Sequence, residues 1–146
     1  MKIYIGADHA GYELKEKLKI YLGELGHTIE DKGAFNLDPS DDYPSFIHPV
    51  AESVALDPEC RGIILGGSGQ GEAMDANRVK KVRACEYYGG TSEVVRVSRE
   101  HNNANILSIG ARFVTEDEAK QAVKMFLETE ASTDERHLRR NNKLDE

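Results

Sequence analysis

Residues 63–72 constrain the fold more than any other part of the sequence. Three large apolar residues run into four glycines interrupted by Ser68 and Gln70, and the stretch ends on Glu72. This order predicts a buried strand, a loop whose N–H groups can approach an anion without a Cβ in the way, and a helix start. The spacing matches neither the Walker loop nor the dinucleotide-binding glycine pattern. The loop predicts a site for a small anion, with Glu72 either a base or a charge that favours the helix start.

Segments typical of strands and of helices alternate along the whole chain. The patterns predict strands at residues 2–7, 27–31, 62–65, 82–85 and 105–109, and helices at 12–25, 44–56, 73–77, 91–100 and 116–128. Such alternation predicts an α/β fold with a five-stranded parallel sheet covered on both faces. In such folds, ligands bind beyond the carboxyl ends of the strands.

The carboxyl edge of the predicted sheet collects several polar segments. Asp8 and His9 follow the first strand, residues 66–72 follow the third, Tyr87 and Tyr88 follow the fourth, and residues 110–112 follow the fifth. His101, Asn102 and Asn103 lie between a helix and the fifth strand. Simple topology places these three at the opposite edge, unless a long loop or a second subunit intervenes.

The last part of the chain differs in composition from the rest. From about residue 131 the apolar pattern disappears, and Arg136, His137, Arg139 and Arg140 concentrate positive charge. On a helix, Arg136 and Arg140 would share a face, and paired guanidinium groups suit a phosphate. Composition alone favours a solvated, partly frayed tail.

Length and charge limit the classes of function. A chain of 146 residues suits one domain, residues 1–146, and a formal charge of −7 argues against a general nucleic-acid binder. Neither a membrane-spanning run nor a signal peptide is expected, which predicts a cytoplasmic protein. Cys60 and Cys85 are too few and too far apart for a metal motif or a disulfide framework. We expect no metal and no cofactor.

The motifs taken together resemble the RpiB/LacAB sugar-phosphate isomerases, the ribose-5-phosphate isomerase B family. The resemblance rests on Gly6–Gly11 (GADHAG), Asp42-Tyr43-Pro44, Gly67–Glu72 (GSGQGE) with Ala76-Asn77, Arg99–Asn102 (REHN), Gly110-Ala111-Arg112, and Arg136-His137 with Arg140. It covers nearly the whole chain. It implies a Rossmann-like three-layer αβα sandwich and a homodimer or tetramer whose active sites are completed by the partner subunit.

The resemblance also implies roles for residues. In the family, the histidine that matches His101 and the C-terminal basic residues reach the neighbouring subunit's site, so residues 131–146 become a segment that reaches the partner. The catalytic residues implied are Glu72, His101, Ser68 and Asp8. The substrate-binding residues implied are His9, Tyr43, Gly67, Gly69, Gln70, Gly71, Asn102, Arg112, Arg136, His137 and Arg140. Of these, the C-terminal residues, Arg112 and His9 belong to the phosphate end.

The base differs between branches of the family. Many members carry a cysteine just after the third strand, where this chain has Gly66, whereas a second branch uses a glutamate after the glycine loop, as at Glu72. The predicted reaction converts ribose 5-phosphate to ribulose 5-phosphate through an enediolate, with Glu72 moving the proton between C2 and C1. Loop N–H groups, Ser68 and Asn102 stabilise the oxyanion, and His101 assists ring opening.

Other functions stay open at this point. The chain could isomerise a hexose 6-phosphate of the galactose or allose type. Pocket depth sets the length of the substrate, and no residue in the sequence indicates that depth. It could also be a non-catalytic phosphosugar-binding subunit, although binding alone needs no base. A flavodoxin-like nucleotide or flavin binder also fits the strand–helix alternation.

Overall fold

Five parallel strands run through the centre of the computed structural model, which describes all 146 residues. In chain order they are β1 (Lys2–Ala7), β2 (Thr28–Asp31), β3 (Arg61–Gly66), β4 (Ala84–Tyr87) and β5 (Ile106–Gly110). Their order across the sheet is β2-β1-β3-β5-β4, and each neighbouring pair is parallel. The predicted α/β fold with a five-stranded parallel sheet is therefore confirmed.

Six helices complete the structure. They are α1 (Tyr12–Glu24), α2 (Pro44–Leu56), α3 (Gln70–Ala76), α4 (Glu93–Asn102), α5 (Glu116–Glu128) and α6 (Glu135–Leu144). Helices α1, α4 and α5 cover one face of the sheet, α2 and α3 cover the other, and α6 packs on α4. None of the six has both the length and the apolar character needed to cross a membrane.

Local sequence signals explain where several helices begin and end. Pro44 occupies the first turn of α2, where a backbone N–H would have no intrahelical acceptor, so its absence costs no hydrogen bond. Thr115 and Glu118 form a capping box at the start of α5, each accepting a hydrogen bond from the other's backbone N–H. Gly26 follows α1 with a φ of 81°, the left-handed conformation that ends many helices.

The strands supply side chains to two apolar cores, one on each face. In β1, Ile3 and Ile5 belong to the larger core beneath α1, α4 and α5, whereas Tyr4 belongs to the smaller core beneath α2 and α3. This alternation follows from the pleat of a strand, which directs successive side chains to opposite faces. Strands β1, β3 and β5 are almost entirely buried, so their carboxyl ends form a rigid base for the residues that follow them.

The strand order creates a crevice between β1 and β3. The chain leaves β1 for β2 on one side and then crosses to β3 on the other. The carboxyl ends of β1 and β3 therefore flank the point where the strand order reverses, which is where open parallel sheets bind their ligands. Asp8 and His9 leave β1 at this point, and residues 67–69 leave β3.

The structure shifts most of the sequence-based boundaries by one or two residues, for example α4, which lies at Glu93–Asn102 instead of 91–100. Helix α3 begins at Gln70 instead of residue 73, because Gly69 takes a φ of 81° and starts the helix immediately. Strand β4 lies at Ala84–Tyr87 instead of 82–85. The C-terminal segment is the helix α6 instead of a frayed tail, and the Asp134 carboxylate caps it by accepting a hydrogen bond from the backbone N–H of Arg136 (2.9 Å).

Candidate active site

Glu72 lies in the first turn of α3, with its side chain directed back over the end of β3. A Cβ built on Gly66 would lie 1.8 Å from Glu72 Oε1, so the carboxylate fills the space that a side chain at residue 66 would need. Glu72 is only 4% exposed. Burial raises the pKa of Glu72, and the negative charges of Asp8 and Glu86 raise it further, against the opposing effect of nearby backbone N–H groups. This environment makes Glu72 a stronger base than an exposed glutamate.

The loop between β3 and α3 is held firmly against β5. The Ser108 hydroxyl donates a hydrogen bond to the Gly69 carbonyl oxygen (2.5 Å). A Cβ on Gly110 would lie 2.5 Å from the Ser68 carbonyl oxygen, so only a glycine at residue 110 allows the two segments to approach this closely. The loop is therefore positioned by the sheet before any ligand arrives.

Several N–H groups of this loop are available to a ligand. Those of Gly67, Ser68 and Gly71 have no hydrogen-bond acceptor within the chain. The N–H of Gln70 donates to Ser68 Oγ over 3.3 Å, and the Gln70 side chain is exposed. Unpaired N–H groups at a helix start favour an anion, as the sequence predicts for this loop.

Asp8 and Tyr43 border the loop on the β1 and α2 sides. Asp8 Oδ1 accepts hydrogen bonds from the backbone N–H groups of Ala10 (2.9 Å) and Gly11 (3.1 Å) in the turn before α1, and Asp8 is 7% exposed. The ring of Tyr43 packs on Gly71, where a Cβ would lie 2.9 Å from the Tyr43 hydroxyl oxygen. Both side chains therefore lie beside Glu72 and the loop.

His9 is held by a carboxylate that the sequence analysis does not identify. Asp41 accepts two hydrogen bonds from His9, one from the backbone N–H (3.1 Å) and one at the ring Nδ1 (2.7 Å). The hydrogen bond to Asp41 raises the pKa of His9, and the charge of Asp8 adds to the rise. Asp41 lies in a turn-rich, acidic segment without periodicity, so no spacing distinguishes it from Asp38 or Asp42.

Arg112 lies beside both the loop and His9. Its backbone N–H donates to the Gly67 carbonyl oxygen (3.1 Å), and a Cβ on Gly67 would lie 3.3 Å from Arg112 Nη1. The positive charge of Arg112 partly opposes the rise in the pKa of His9. The guanidinium is exposed, so it is free to bind an anion that enters from solvent.

One cluster in this region has the donor atoms of a metal site. One ligand atom from each of Asp8, His9 and Asp41 lies within 4.8 Å of the others. Two carboxylates and an imidazole suit a divalent cation. In the structure, His9 Nδ1 is paired with Asp41 Oδ1 at 2.7 Å, and Asp8 Oδ1 accepts hydrogen bonds from the backbone N–H groups of Ala10 and Gly11. Hydrogen bonds thus account for Asp8 Oδ1 and Asp41 Oδ1, whereas the buried Asp41 Oδ2 has no hydrogen-bond partner.

His101 and Asn102 lie at the other edge of the sheet. They end α4, just before the amino end of β5, and the Asn102 carbonyl accepts a hydrogen bond from Arg83 Nε (3.0 Å). Arg136 and Arg140 are exposed on α6, which packs against α4. His137 is instead 6% exposed and stacks on His101, with ring centroids 4.3 Å apart.

The predicted site residues thus form two groups within one chain. The group at the carboxyl edge contains Asp8, His9, Tyr43, Gly67, Ser68, Gly69, Gln70, Gly71, Glu72 and Arg112. The group near α4 and α6 contains His101, Asn102, Arg136, His137 and Arg140. Seven cavities are found on the chain, and Glu72 does not line the five main ones, which measure 200 to 450 Å³.

Comparisons with known proteins identify the family of the chain. Residues 3–144 match the model of the ribose/galactose isomerase family. A ribose-5-phosphate isomerase B of Mycolicibacterium paratuberculosis is 43% identical over 140 residues, covering 96% of this chain and 87% of that protein. The ribose-5-phosphate isomerase B of Mycobacterium leprae is 44% identical over 140 residues, covering 96% of this chain and 85% of that protein.

Solved structures show the same similarity in three dimensions. That of Clostridium thermocellum ribose-5-phosphate isomerase B has a TM-score of 0.92 and 41% identity, covering 99% of this chain and 95% of that one. The enzyme of Mycoplasma genitalium, with bound ribulose 5-phosphate, has a TM-score of 0.92 and 34% identity, covering 99% and 93%. The fold, the glycine loop and these matches lead to one conclusion: the chain belongs to the ribose/galactose isomerase family.

Proposed function

We propose that this chain is an aldose–ketose isomerase that interconverts ribose 5-phosphate and ribulose 5-phosphate, with Glu72 as the base. The observation that carries the proposal is the buried Glu72 carboxylate, whose pKa is raised and which lies beside loop N–H groups without acceptors. Relatives at 43% identity bear the name ribose-5-phosphate isomerase B, and a homologous structure holds ribulose 5-phosphate, which supports the same choice of substrate.

Glu72 performs the proton transfer in this scheme. Its carboxylate removes the proton from C2 of the open-chain aldose, which leaves an enediolate, and returns the proton to C1 to give the ketose. General acid–base catalysis of this kind contributes roughly two to four powers of ten in rate. The Glu72 carboxylate fills the space beside Gly66, so a cysteine side chain at residue 66 and the carboxylate of Glu72 would compete for the same space.

The glycine loop stabilises the negative charge that develops on the substrate. The N–H groups of Gly67 and Gly71 and the Ser68 hydroxyl lie in the same loop and turn as Glu72, and the backbone groups have no acceptor within the chain. Loss of one such donor typically costs about 3 kcal/mol of transition-state stabilisation. Because Ser108 holds the loop against β5, the donors are oriented before the substrate binds.

The phosphate end of the substrate lies at His9 and Arg112. The hydrogen bond to Asp41 keeps His9 cationic to higher pH, and Arg112 is exposed beside it. A second copy of the chain supplies Arg136 and Arg140 to this phosphate in our proposal. The support is that Arg136 and Arg140 lie on α6, which packs on α4, whereas the Glu72 loop joins β3 to α3.

Ring opening needs an acid near the sugar, and we assign it to His101 of a second copy, with Asn102 contributing to the oxyanion site. In one chain both residues lie at the amino edge of the sheet, away from Glu72. Asp8 and Tyr43 border the sugar from the same chain as Glu72. The active unit is therefore a homodimer with shared sites, or a tetramer built from such dimers.

The test of the base compares Glu72→Gln with wild type in the conversion of ribose 5-phosphate to ribulose 5-phosphate. We expect loss of at least about two powers of ten in kcat with phosphosugar binding retained. Glu128→Gln is the control, because Glu128 is exposed at the end of α5, away from the loop that holds Glu72. Equal activity of wild type and Glu72→Gln would remove Glu72 from the mechanism.

Two further assays separate the alternatives. Turnover of hexose 6-phosphates beside ribose 5-phosphate tests the substrate, since the matching family covers both ribose and galactose isomerases. Phosphosugar binding without turnover of any of them would indicate a binding subunit. Mixing equal amounts of Glu72→Gln and His101→Ala chains tests the shared site. Each mixed dimer would have one intact site of two, so random mixing would restore about a quarter of all sites, whereas a site within one chain would restore none.

A further inference from the structure

Helix α6 buries an unusual pair of residues. Its buried side chains are His137 and Asn141, one helical turn apart, at 6% and 9% exposure. Helix α5, by contrast, buries alanines, a valine and a phenylalanine against the sheet. A helix whose buried face is polar gains little from apolar burial, so its position depends on specific contacts.

Both buried residues of α6 contact the same residue of α4. The rings of His137 and His101 stack with centroids 4.3 Å apart and planes only 9° from parallel. Asn141 Nδ2 donates a hydrogen bond to the His101 carbonyl oxygen (3.2 Å). One residue of α6 therefore holds the ring of His101, and the other holds its backbone.

The surroundings of His137 do not suit a phosphate ligand. Burial lowers the pKa of His137, and the neighbouring charges of His101, Arg136 and Arg140 lower it further, with only Asp134 opposing them. An imidazole that is buried and stacked on another ring presents little of its surface to an anion. Arg136 and Arg140 differ, because both are exposed and guanidinium groups stay charged.

We propose that His137 and Asn141 are positioning residues for His101, and that neither binds the phosphate of the substrate. The proposal rests on the proposed function, in which His101 assists ring opening. The stacked His137 ring restricts rotation of the His101 side chain, and the Asn141 amide fixes the end of α4. The basic C-terminal helix thus has two roles: its buried face orients His101, and its exposed arginines bind the anion.

Two substitutions at residue 137 distinguish the roles. His137→Phe keeps a flat ring for stacking but has no nitrogen for a phosphate, and His137→Ala has neither. We expect His137→Ala to lower kcat by about tenfold to a hundredfold, as misplacement of a catalytic group does. The KM and the inhibition constant of inorganic phosphate should stay within about twofold, because the phosphate contacts remain. His137→Phe should recover most of kcat.

Arg140→Ala is the comparison for a lost phosphate contact and should raise both KM and the inhibition constant. The proposal is overturned if His137→Phe and His137→Ala raise these two constants as Arg140→Ala does. Asn141→Ala tests the second contact and should lower kcat without changing the inhibition constant of phosphate.

An NMR measurement tests the stacking of His101 and His137 without an activity assay. The NMR signals of the His101 ring protons should shift in His137→Ala, because the ring current of residue 137 is lost, and should lie near their wild-type positions in His137→Phe. Unchanged signals in His137→Ala would overturn the stack itself. If wild type isomerises no sugar phosphate while the signals respond as expected, the proposed function fails and the positioning of His101 by α6 stands.

Discussion

Substitution of Gly66 by alanine tests whether the position of the Glu72 carboxylate controls catalysis. The new Cβ would lie 1.8 Å from Glu72 Oε1, whereas ordinary contact begins at 3.4 Å, so the carboxylate must retreat by roughly 1.6 Å. Displacement of a catalytic group by about 1 Å costs on the order of a hundredfold in rate. We therefore expect kcat/KM for ribose 5-phosphate to fall by at least about a hundredfold.

The fold should tolerate this substitution. The clash involves the far end of a flexible side chain, and Gly66 needs no left-handed backbone, so we expect the free energy of unfolding to change by no more than about 1 kcal/mol. Gly23→Ala is the matched control, because nothing lies within 4 Å of its new Cβ. It should leave kcat/KM unchanged.

A double-mutant cycle completes the test. In the Glu72→Gln background, Gly66→Ala should have little further effect on kcat/KM, because the base it displaces is already absent. The reasoning is refuted if Gly66→Ala keeps wild-type activity, or if it lowers activity by the same factor with and without Glu72.

Three other predictions follow from the contacts described above. Asp41→Asn should lower the pKa of His9 and raise KM by about tenfold, the scale of one charged hydrogen bond. The rise in KM should be larger at about pH 8 than at about pH 6, because His9 then loses its charge. An equal rise at both pH values would contradict the role of Asp41. Glu72→Gln should increase the free energy of unfolding at neutral pH by on the order of 1 kcal/mol, because the pKa of Glu72 is raised in the folded chain and its ionised form is disfavoured there. In urea titrations at fixed protein concentration, this gain should disappear as the pH falls below 4.5, where Glu72 is protonated in both states; a gain that persists in acid would have another cause. Lys15→Met should lower the free energy of unfolding by about 2 kcal/mol, because the fully buried Lys15 ammonium donates to Asp31 (2.8 Å) and to the Ala34 carbonyl oxygen (2.6 Å), while Lys19 still pairs with Asp31 (2.7 Å). An unchanged urea midpoint would contradict this.

The sequence was sufficient for the sheet and for the carboxyl edge of the site. Short apolar runs between helical segments indicate the five strands, and parallel topology then brings Asp8 and Glu72 to the same edge of the sheet. The same topology correctly separates His101 from Glu72. These inferences depend on periodicity and chain order, which a single sequence contains.

Contacts between side chains could not be obtained in this way. The packing of Glu72 into the space above Gly66 depends on the direction of one carboxylate. Asp41 is one of several acidic residues in a turn, and only the folded loop brings it to His9. The apolar pattern of the sequence does not predict helix α6, because its buried residues, His137 and Asn141, are polar and leave no apolar periodicity.

The polar attachment of α6 has a consequence for thermal inactivation. Elements with little apolar burial open locally at a lower free energy than the strands of the core, and α6 buries only two polar side chains against α4. Brief openings of this helix would free the His101 ring while β1, β3 and β5 stay intact. On slow heating, catalysis should therefore disappear several degrees before the circular dichroism of the sheet changes, and should return on cooling, because the core has not melted.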